Sequence, residues 1–359
     1  MISQQRWLAS GVASLFWMVL ILAGTGCDAI QSVNTDKPPE VAVPAPVTPA
    51  PVTPPPMTPE PPAPVVKTPQ QIIKEFLALP TVERRDAHLT QLAGLPEGLD
   101  AITTLDLSRS GVSDDGMKTL TAFPQLTELN IAETRISNTG LASVAEAKSL
   151  RTLTLVNLVG VDDSGIQHLA ALKDLESVTI SACPVSDAAF TTLAELEALQ
   201  VINVSACPNV YGRGFVLLTS KNAFRNLREL HVSGSKFGNY GLDQLNKLPK
   251  LEVLRASRCE LVGPTTQGLA GCDELKILEL SGNSLFDDNM KIVSRLKNLE
   301  ELRLGQIPSL TDESLNSLKI LKKLKVLDLD GTKITEPAIK LLKEKFLKDT
   351  EILALGQKF

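Results

Sequence analysis

Large rings are scarce in this chain. Aromatic residues make up 4% of its 359 residues, with only two tyrosines and two tryptophans. A core with so few rings must be filled by aliphatic side chains, in a layer too narrow to hold large ones. Histidine is scarcer: the three, which include His88 and His231, are too few for a histidine metal cluster or for general-base chemistry. The five cysteines include no C-x-x-C pair, so the usual zinc and thiol-redox signatures are missing. No nucleophile elbow, phosphate loop or paired acids in a cleft can be read. The chain is therefore expected not to be an enzyme, and no catalytic residue, metal ligand or cofactor is assigned. The net charge of −5 lacks the excess of Lys and Arg that would hold a phosphate backbone, which argues against nucleic acid as a partner.

Residues 1–27 read as an export signal. Arg6 supplies a positive start, residues 7–22 are apolar and uncharged, and Ala23-Gly24-Thr25-Gly26-Cys27 follows. The apolar run is short for a helix crossing about 30 Å of hydrocarbon. The small residues ending in cysteine resemble a bacterial lipobox, although Gly24 stands where that family prefers leucine. The resemblance implies cleavage before Cys27 and a lipid on its thiol. An uncleaved signal anchor and plain secretion are the alternatives, and all three place the body outside the cytoplasm. Residues 28–69 are expected to form a disordered tether. Between Pro38 and Pro69, 14 of 32 positions are proline, which denies the backbone the donors that a helix or ladder needs.

Residues 70–98 read as a helical N-terminal cap. Ile72, Ile73, Phe76, Leu77 and Leu79 recur at helical spacing up to Pro80, and Leu89, Leu92 and Leu95 mark a second piece. From residue 99 to 359 one pattern, L-x-x-L-x-L, is written about ten to eleven times. Copies start at Ile102, Leu126, Leu150, Leu175, Leu199, Leu227, Leu251, Leu275, Leu299 and Leu324, in steps of 24, 24, 25, 24, 28, 24, 24, 24 and 25, and a last copy is read as ending in Leu353 and Leu355. The L-x-L centre alternates as a strand with one buried face does. Ser or Thr with an acid follows, as in Ser186-Asp187 and Thr311-Asp312, and marks a helix start. The hydroxyl caps free amides and the acid is expected to meet the positive helix end.

Three residues past the last strand leucine stand Ser110, Thr134, Leu158, Cys183, Cys207, Ser235, Cys259, Asn283, Ile307 and Thr332. Period, strand pattern and this column resemble a leucine-rich repeat, of the cysteine-containing or ribonuclease-inhibitor-like subtype. The resemblance covers about 250 residues. It implies an α/β solenoid, a curved horseshoe with a parallel β-sheet on the concave face and short helices on the convex face. Leu158 and Ile307 depart from the polar rule, so their turns should be bonded differently. Cys183, Cys207 and Cys259 read as buried thiols, and a Cys183–Cys207 disulfide is geometrically open on adjacent copies. The copy starting at Leu199 has four extra residues, including a basic stretch with Lys221 and Arg225. It reads as a surface loop or a binding feature.

Strand residues between the leucines must face away from the core. The middle column runs Asp106, Asn130, Thr154, Thr179, Asn203, His231, Arg255, Glu279, Arg303 and Asp328. Its first half is small and neutral and its second half is charged. His231, Arg255, Glu279, Arg303 and Asp328, with Arg258 and Glu301, are the candidate partner-binding residues. The competing reading is a solvated ladder of mutually satisfied charges. The function expected is that of a membrane-tethered monomer, extracytoplasmic and bacterial, that binds a protein or peptide on this face. The alternatives are a substrate-recognition subunit resembling F-box-type leucine-rich repeat receptors of ubiquitin ligases, and a structural envelope component.

Overall fold

The computed structural model describes residues 67–219, 223–263 and 266–359. The expected signal with Cys27, nearly all of the tether, and Lys221 lie outside these residues.

Each repeat centre folds into one short strand. These are β1 (Thr104–Asp106), β2 (Glu128–Asn130), β3 (Thr152–Thr154), β4 (Ser177–Thr179), β5 (Val201–Asn203), β6 (Glu229–His231), β7 (Val253–Arg255), β8 (Ile277–Glu279), β9 (Glu301–Arg303), β10 (Val326–Asp328) and β11 (Glu351–Ala354). Neighbours pair in parallel in chain order, and β12 (Gln357–Lys358) closes the series antiparallel to β11. Helical returns of three to ten residues connect the strands. The central apolar residues lie in register from copy to copy, as in Leu230↔Leu254↔Leu278↔Leu302, and all are buried. Each aliphatic side chain so buried stabilises the fold by roughly 1.5–3 kcal/mol.

Past each strand the chain turns on a residue in the left-handed region. Gly234, Gly282 and Gly331 occupy it in some copies, but Arg109, Glu133, Asn157, Ala182, Ala206, Arg258 and Gln306 do so in the others. A left-handed non-glycine residue costs roughly 1–2 kcal/mol. The conformation persists because its amide donates to the next copy, as from Arg109 to Ala132 O (2.8 Å) and from Glu133 to Val156 O (2.8 Å). The column that follows bonds turn carbonyls. Thr134 and Ser235 hydroxyls donate to Ile131 O and Val232 O, Cys207 Sγ lies 2.9 Å from Ile180 O, and Asn283 Nδ2 donates to Ala256 O and Leu280 O. Leu158 and Ile307 are buried apolar residues instead, each in a copy one residue longer. Cys183, Cys207, Cys259 and Cys272 are all free thiols and buried. Burial pushes Cys207 and Cys259 to about 11 and Cys272 to about 12, so none is a nucleophile at neutral pH.

The acids of the helix starts act differently from expectation. Ser113, Ser137 and Thr311 do cap their own helices. The carboxylates, however, reach the next copy. The amide and hydroxyl of Ser113 donate to Asp86 (2.8 and 2.6 Å), those of Ser137 to Asp114 (2.8 and 2.5 Å), and those of Ser186 to Asp163 (2.9 and 2.5 Å). Thr311 on Asp287 and Thr335 on Asp312 repeat the pattern. These pairs sit about one repeat apart in sequence, so a single-helix argument misses them. Gly140 fits the same arrangement, since a Cβ there would lie 2.3 Å from Asp114 Oδ1. The column of hydroxyl or acid caps is interrupted at Tyr211, Gly238, Val262 and Phe286.

The rings are also placed against expectation. Phe190, Phe215, Phe224 and Phe237 gather on the helical side of the long copy, with Phe190 and Phe215 centroids 4.7 Å apart and Phe215 and Phe237 5.4 Å apart. Phe224 is buried against Phe190 and Phe215, and Arg225 pairs with Glu197 at 2.7 Å.

At the N-terminal end, α1 (Pro69–Ala78) starts one residue earlier than read, behind its cap Thr68, and α2 (Asp86–Ala93) follows. Phe76, Leu89 and Leu92 join the core. Buried Arg84 donates to Asp106 O at the free edge of β1 and to Leu79 O. At the other end the reading of Leu353 and Leu355 as core residues is one position out. Ile352 pairs with Leu327, Ile352 and Ala354 are buried, and Leu355 is 48% exposed with φ 54°. The hairpin to β12 uses Leu355-Gly356 as its turn and fixes this register. A shift of one residue exchanges the two faces of a strand.

The register yields a direct test. Leu254→Asp buries an unpaired charge in the stacked core and should cost several kcal/mol, abolishing the cooperative thermal transition. Val253→Asp, one residue away on the opposite face, should leave the transition within a few degrees of the parent when melts are followed by circular dichroism.

Candidate functional site

The face of the sheet opposite the leucines is open to solvent, and strand pairing orders its side chains into rows. Asn203↔His231↔Arg255↔Glu279↔Arg303↔Asp328 is one continuous row across β5 to β10. Successive members stand about 4.8 Å apart. Toward β1 the same row holds Thr179, Thr154, Asn130 and Asp106.

The charges of this row are held by one another. Arg255 Nη1 donates to Glu279 Oε2 at 2.9 Å, and the Ser257 hydroxyl donates to Glu279 Oε1 at 2.7 Å. Arg303 Nε donates to Glu301 at 2.5 Å and its Nη1 lies 4.0 Å from Asp328. Burial pushes the Glu279 carboxyl up, but the Ser257 and Arg255 hydrogen bonds and the Arg255 and Arg303 charges outweigh it and leave its pKa below the usual value. Burial dominates at His231 and lowers its pKa despite a 3.3 Å contact with Glu229. Of the residues read as candidates, only Arg258 stays outside the network. It occupies the left-handed turn after β7, exposed, and its stem lies over Gly282.

A second charged row escaped the sequence reading. One residue before each strand stand Arg228, Glu252, Lys276, Glu300 and Lys325. Arg228 and Lys276 both pair with Glu252, the latter at 2.6 Å, and Lys325 pairs with Glu300 at 2.6 Å. In the four copies from Glu252 on, its sign opposes that of the central row: Glu252 with Arg255, Lys276 with Glu279, Glu300 with Arg303, Lys325 with Asp328. The same repeat spacing carries this row, one position before each strand. Val253 and Ile277, paired and half-buried, lie between the two rows in sequence and face solvent. The arrangement is a small aliphatic centre within a frame of matched charges.

Acid should loosen this network in two steps. A group whose pKa is lower in the fold than in the unfolded chain contributes stability above its ordinary pKa, lost as pH falls through the folded value. His231 should lose its contribution below pH 6.5, and Glu279 below about 4.5. In melts from pH 8 to pH 3, His231→Gln should flatten the first decline and Glu279→Gln the second.

Comparison with known proteins agrees with this geometry. Residues 102–120 match a leucine-rich repeat family model. No curated protein sequence matches the chain. Among solved structures, the fold is similar to an internalin (inlF) of Listeria monocytogenes, with a TM-score of 0.56, 19% identity, and 75% of this chain and 76% of that one covered. It is also similar to a chain in the octameric complex of Latrophilin 3, Unc5D and the leucine-rich repeat protein FLRT2, with a TM-score of 0.50, 17% identity, and 73% and 87% covered. At these identities the likeness concerns the fold alone, and the chain is an α/β leucine-rich repeat solenoid.

Proposed function

We propose that the protein is a non-enzymatic binding scaffold that engages a protein or peptide partner through the later half of its open sheet face. One observation carries the reading. Across β7 to β10, Val253 and Ile277 are framed by Arg228–Glu252–Lys276 on one side and Arg255–Glu279–Arg303–Asp328 on the other. Aliphatic centres with a charged rim are where protein interfaces concentrate their binding energy, because the rim excludes water from the centre. The paired rim charges are already oriented, which reduces the ordering a partner must impose. The likeness to an internalin and to a chain of a multiprotein complex supports the same use of the fold. The cysteine and threonine ladder column supports the ribonuclease-inhibitor-like subtype.

In this reading the partner meets the array outside the cytoplasm, the body being a monomer tethered by a lipid on Cys27 through the proline-rich residues 28–69, behind the cap of residues 70–98. Among the described residues no helix is long and apolar enough to cross a membrane. The support for the lipid is the apolar run that ends in Thr25-Gly26-Cys27.

Two experiments test the proposal. Cys27→Ala should move the protein out of the membrane fraction or leave its precursor uncut; continued attachment of a processed chain contradicts the lipid. Arg255→Glu combined with Arg303→Glu should weaken capture of the native partner at least tenfold, measured by pull-down from membranes after the fold is checked by circular dichroism. Unchanged capture by the folded variant would turn the face into plain solvated surface, as in a structural envelope component. Capture of a cytosolic ubiquitin-ligase component would favour the receptor alternative.

A further inference from the structure

The last copies gather positive charge on a chain whose total is −5. Residues 319–348 hold nine lysines and no arginine, against four acids. Of those acids, Asp328 ends β10, Asp330 stands in the turn after it, and Glu336 pairs with Lys340 at 2.6 Å. Lys325 pairs with Glu300 at 2.6 Å, and among the described residues no other of the nine has an acid within 4.0 Å. Lys322 and Lys343 donate to the carbonyls of Phe346 and Thr350, and Lys323 donates to Asn298 Oδ1. Lys345 and Lys348 are exposed and donate to no group among the described residues. Glu344 and Asp349 are the acids left beside them.

Apolar side chains are exposed among these lysines. The helices Asp312–Leu318 and Glu336–Lys345 border a groove of about 310 Å³, with buried Leu315 and Leu342 in its floor and Leu341 and Phe346 on its rim. Leu341 is 48% exposed and Phe346 37%, and Ile320, 44% exposed, lies between Lys319 and Lys322 in sequence. Lys319 and Lys322 stand over the Phe346 ring, 5.5 and 5.6 Å from its centre. On the second helix Leu341 and Lys345 share one side, four residues apart, while Glu336, Lys340 and Glu344 follow one another along a different side. Asp312, the acid that lines the groove, already accepts from the amide and hydroxyl of Thr335 at 2.7 and 2.9 Å. Glu313 stands beside it at the start of that helix, at the opposite end from Lys319.

Two features decide the kind of partner. Lysine is a compact cation on a flexible stem and lacks the planar fork with which arginine selects one carboxylate or phosphate, so a surface made of lysine alone answers to a diffuse negative field. Exposed Leu, Ile and Phe beside lysine stems match the boundary between lipid headgroups and acyl chains. There the stem lies along apolar surface while the ammonium end reaches the phosphates.

We infer that this end of the array is a contact surface for an anionic membrane, separate from the open sheet face. Leu341, Phe346 and Ile320 enter the headgroup boundary, and Lys319, Lys322, Lys345 and Lys348 meet lipid phosphates. The contact does not depend on the lipid proposed at Cys27.

The test puts an environment-sensitive fluorophore, nitrobenzoxadiazole, on Leu341→Cys in the full chain with Cys27→Ser, where the four native thiols are buried. Vesicles of phosphatidylcholine mixed with phosphatidylglycerol should shift the emission to the blue and raise it at least threefold. Vesicles of phosphatidylcholine alone should not, and added salt should abolish the rise. The reporter is local, so attachment of the chain through residues 1–27 neither produces nor hides the signal. The same fluorophore on Val253→Cys, on the sheet face, should stay unchanged. Each lysine at an anionic surface contributes about fivefold. Lys345→Glu with Lys348→Glu, and separately Lys319→Gln with Lys322→Gln, should therefore each need at least fivefold more anionic vesicle for the same rise, at an unchanged thermal midpoint. No rise with anionic vesicles, an equal rise with both lipid mixtures or at Val253→Cys, or a full response by both lysine variants overturns the inference. So does an equal or stronger response to a soluble peptide alternating Phe or Leu with Asp, which would assign the surface to a protein.

Discussion

Every feature of this molecule depends on one hydrogen-bonded contact between successive copies. The strand of each copy pairs with the next in strict register, and the left-handed turn that follows donates its amide to the next copy. Because the offset stays constant, one aliphatic position always meets its counterpart and a continuous column of buried leucines results. The same offset places the Asp of one helix start under the Ser or Thr of the next. It also tolerates arginine, glutamate and alanine in a backbone conformation that usually requires glycine, since the ladder supplies what the strain removes. An array of this kind derives its stability from nearest neighbours, so its two ends need separate solutions. Arg84 and the helices α1 and α2 close one end and the β11–β12 hairpin closes the other.

Much of this is legible in the sequence for a physical reason. A period near 24 residues repeats the same local decision ten times, so errors at single positions do not alter the reading. The strand leucines, the outward rows and the burial of Cys183, Cys207 and Cys259 follow from period and alternation alone. What escaped were contacts that cross a repeat boundary or end the series. Asp114 looks like a residue of its own helix until the next copy is laid against it. Leu353 and Leu355 keep the L-x-L spelling, but a hairpin, which no repeat rule anticipates, sets their register. The aromatic cluster of Phe190, Phe215, Phe224 and Phe237 gathers at the one long copy, and uniform repeats do not predict it.

The candidate site was legible in part. The central row of His231, Arg255, Glu279, Arg303 and Asp328 stands where alternation puts it. Its pairing was open from sequence, since alternating charges can either join one another or wait for a partner. In the structure Arg255 joins Glu279 and Arg303 joins Glu301 and Asp328, and the second row from Glu252 to Lys325 opposes their signs. This alters the meaning of the patch. In the binding role proposed above, its contribution would come from a rim already ordered around Val253 and Ile277, with no need for free charges seeking opposite ones.

The central claim is that constant register assigns each strand residue to the column or to the open face. Single cysteines at Val253, Leu254, Arg255 and Ala256, each in a chain with Cys27→Ser, measure it directly through their rates of reaction with a thiol reagent under native conditions. The account predicts fast labelling at 253 and 255. It predicts protection at 254 and 256, and at the four native buried thiols, until the protein is unfolded. Uniform labelling along the strand, or protection at 253 and 255 instead, would contradict it.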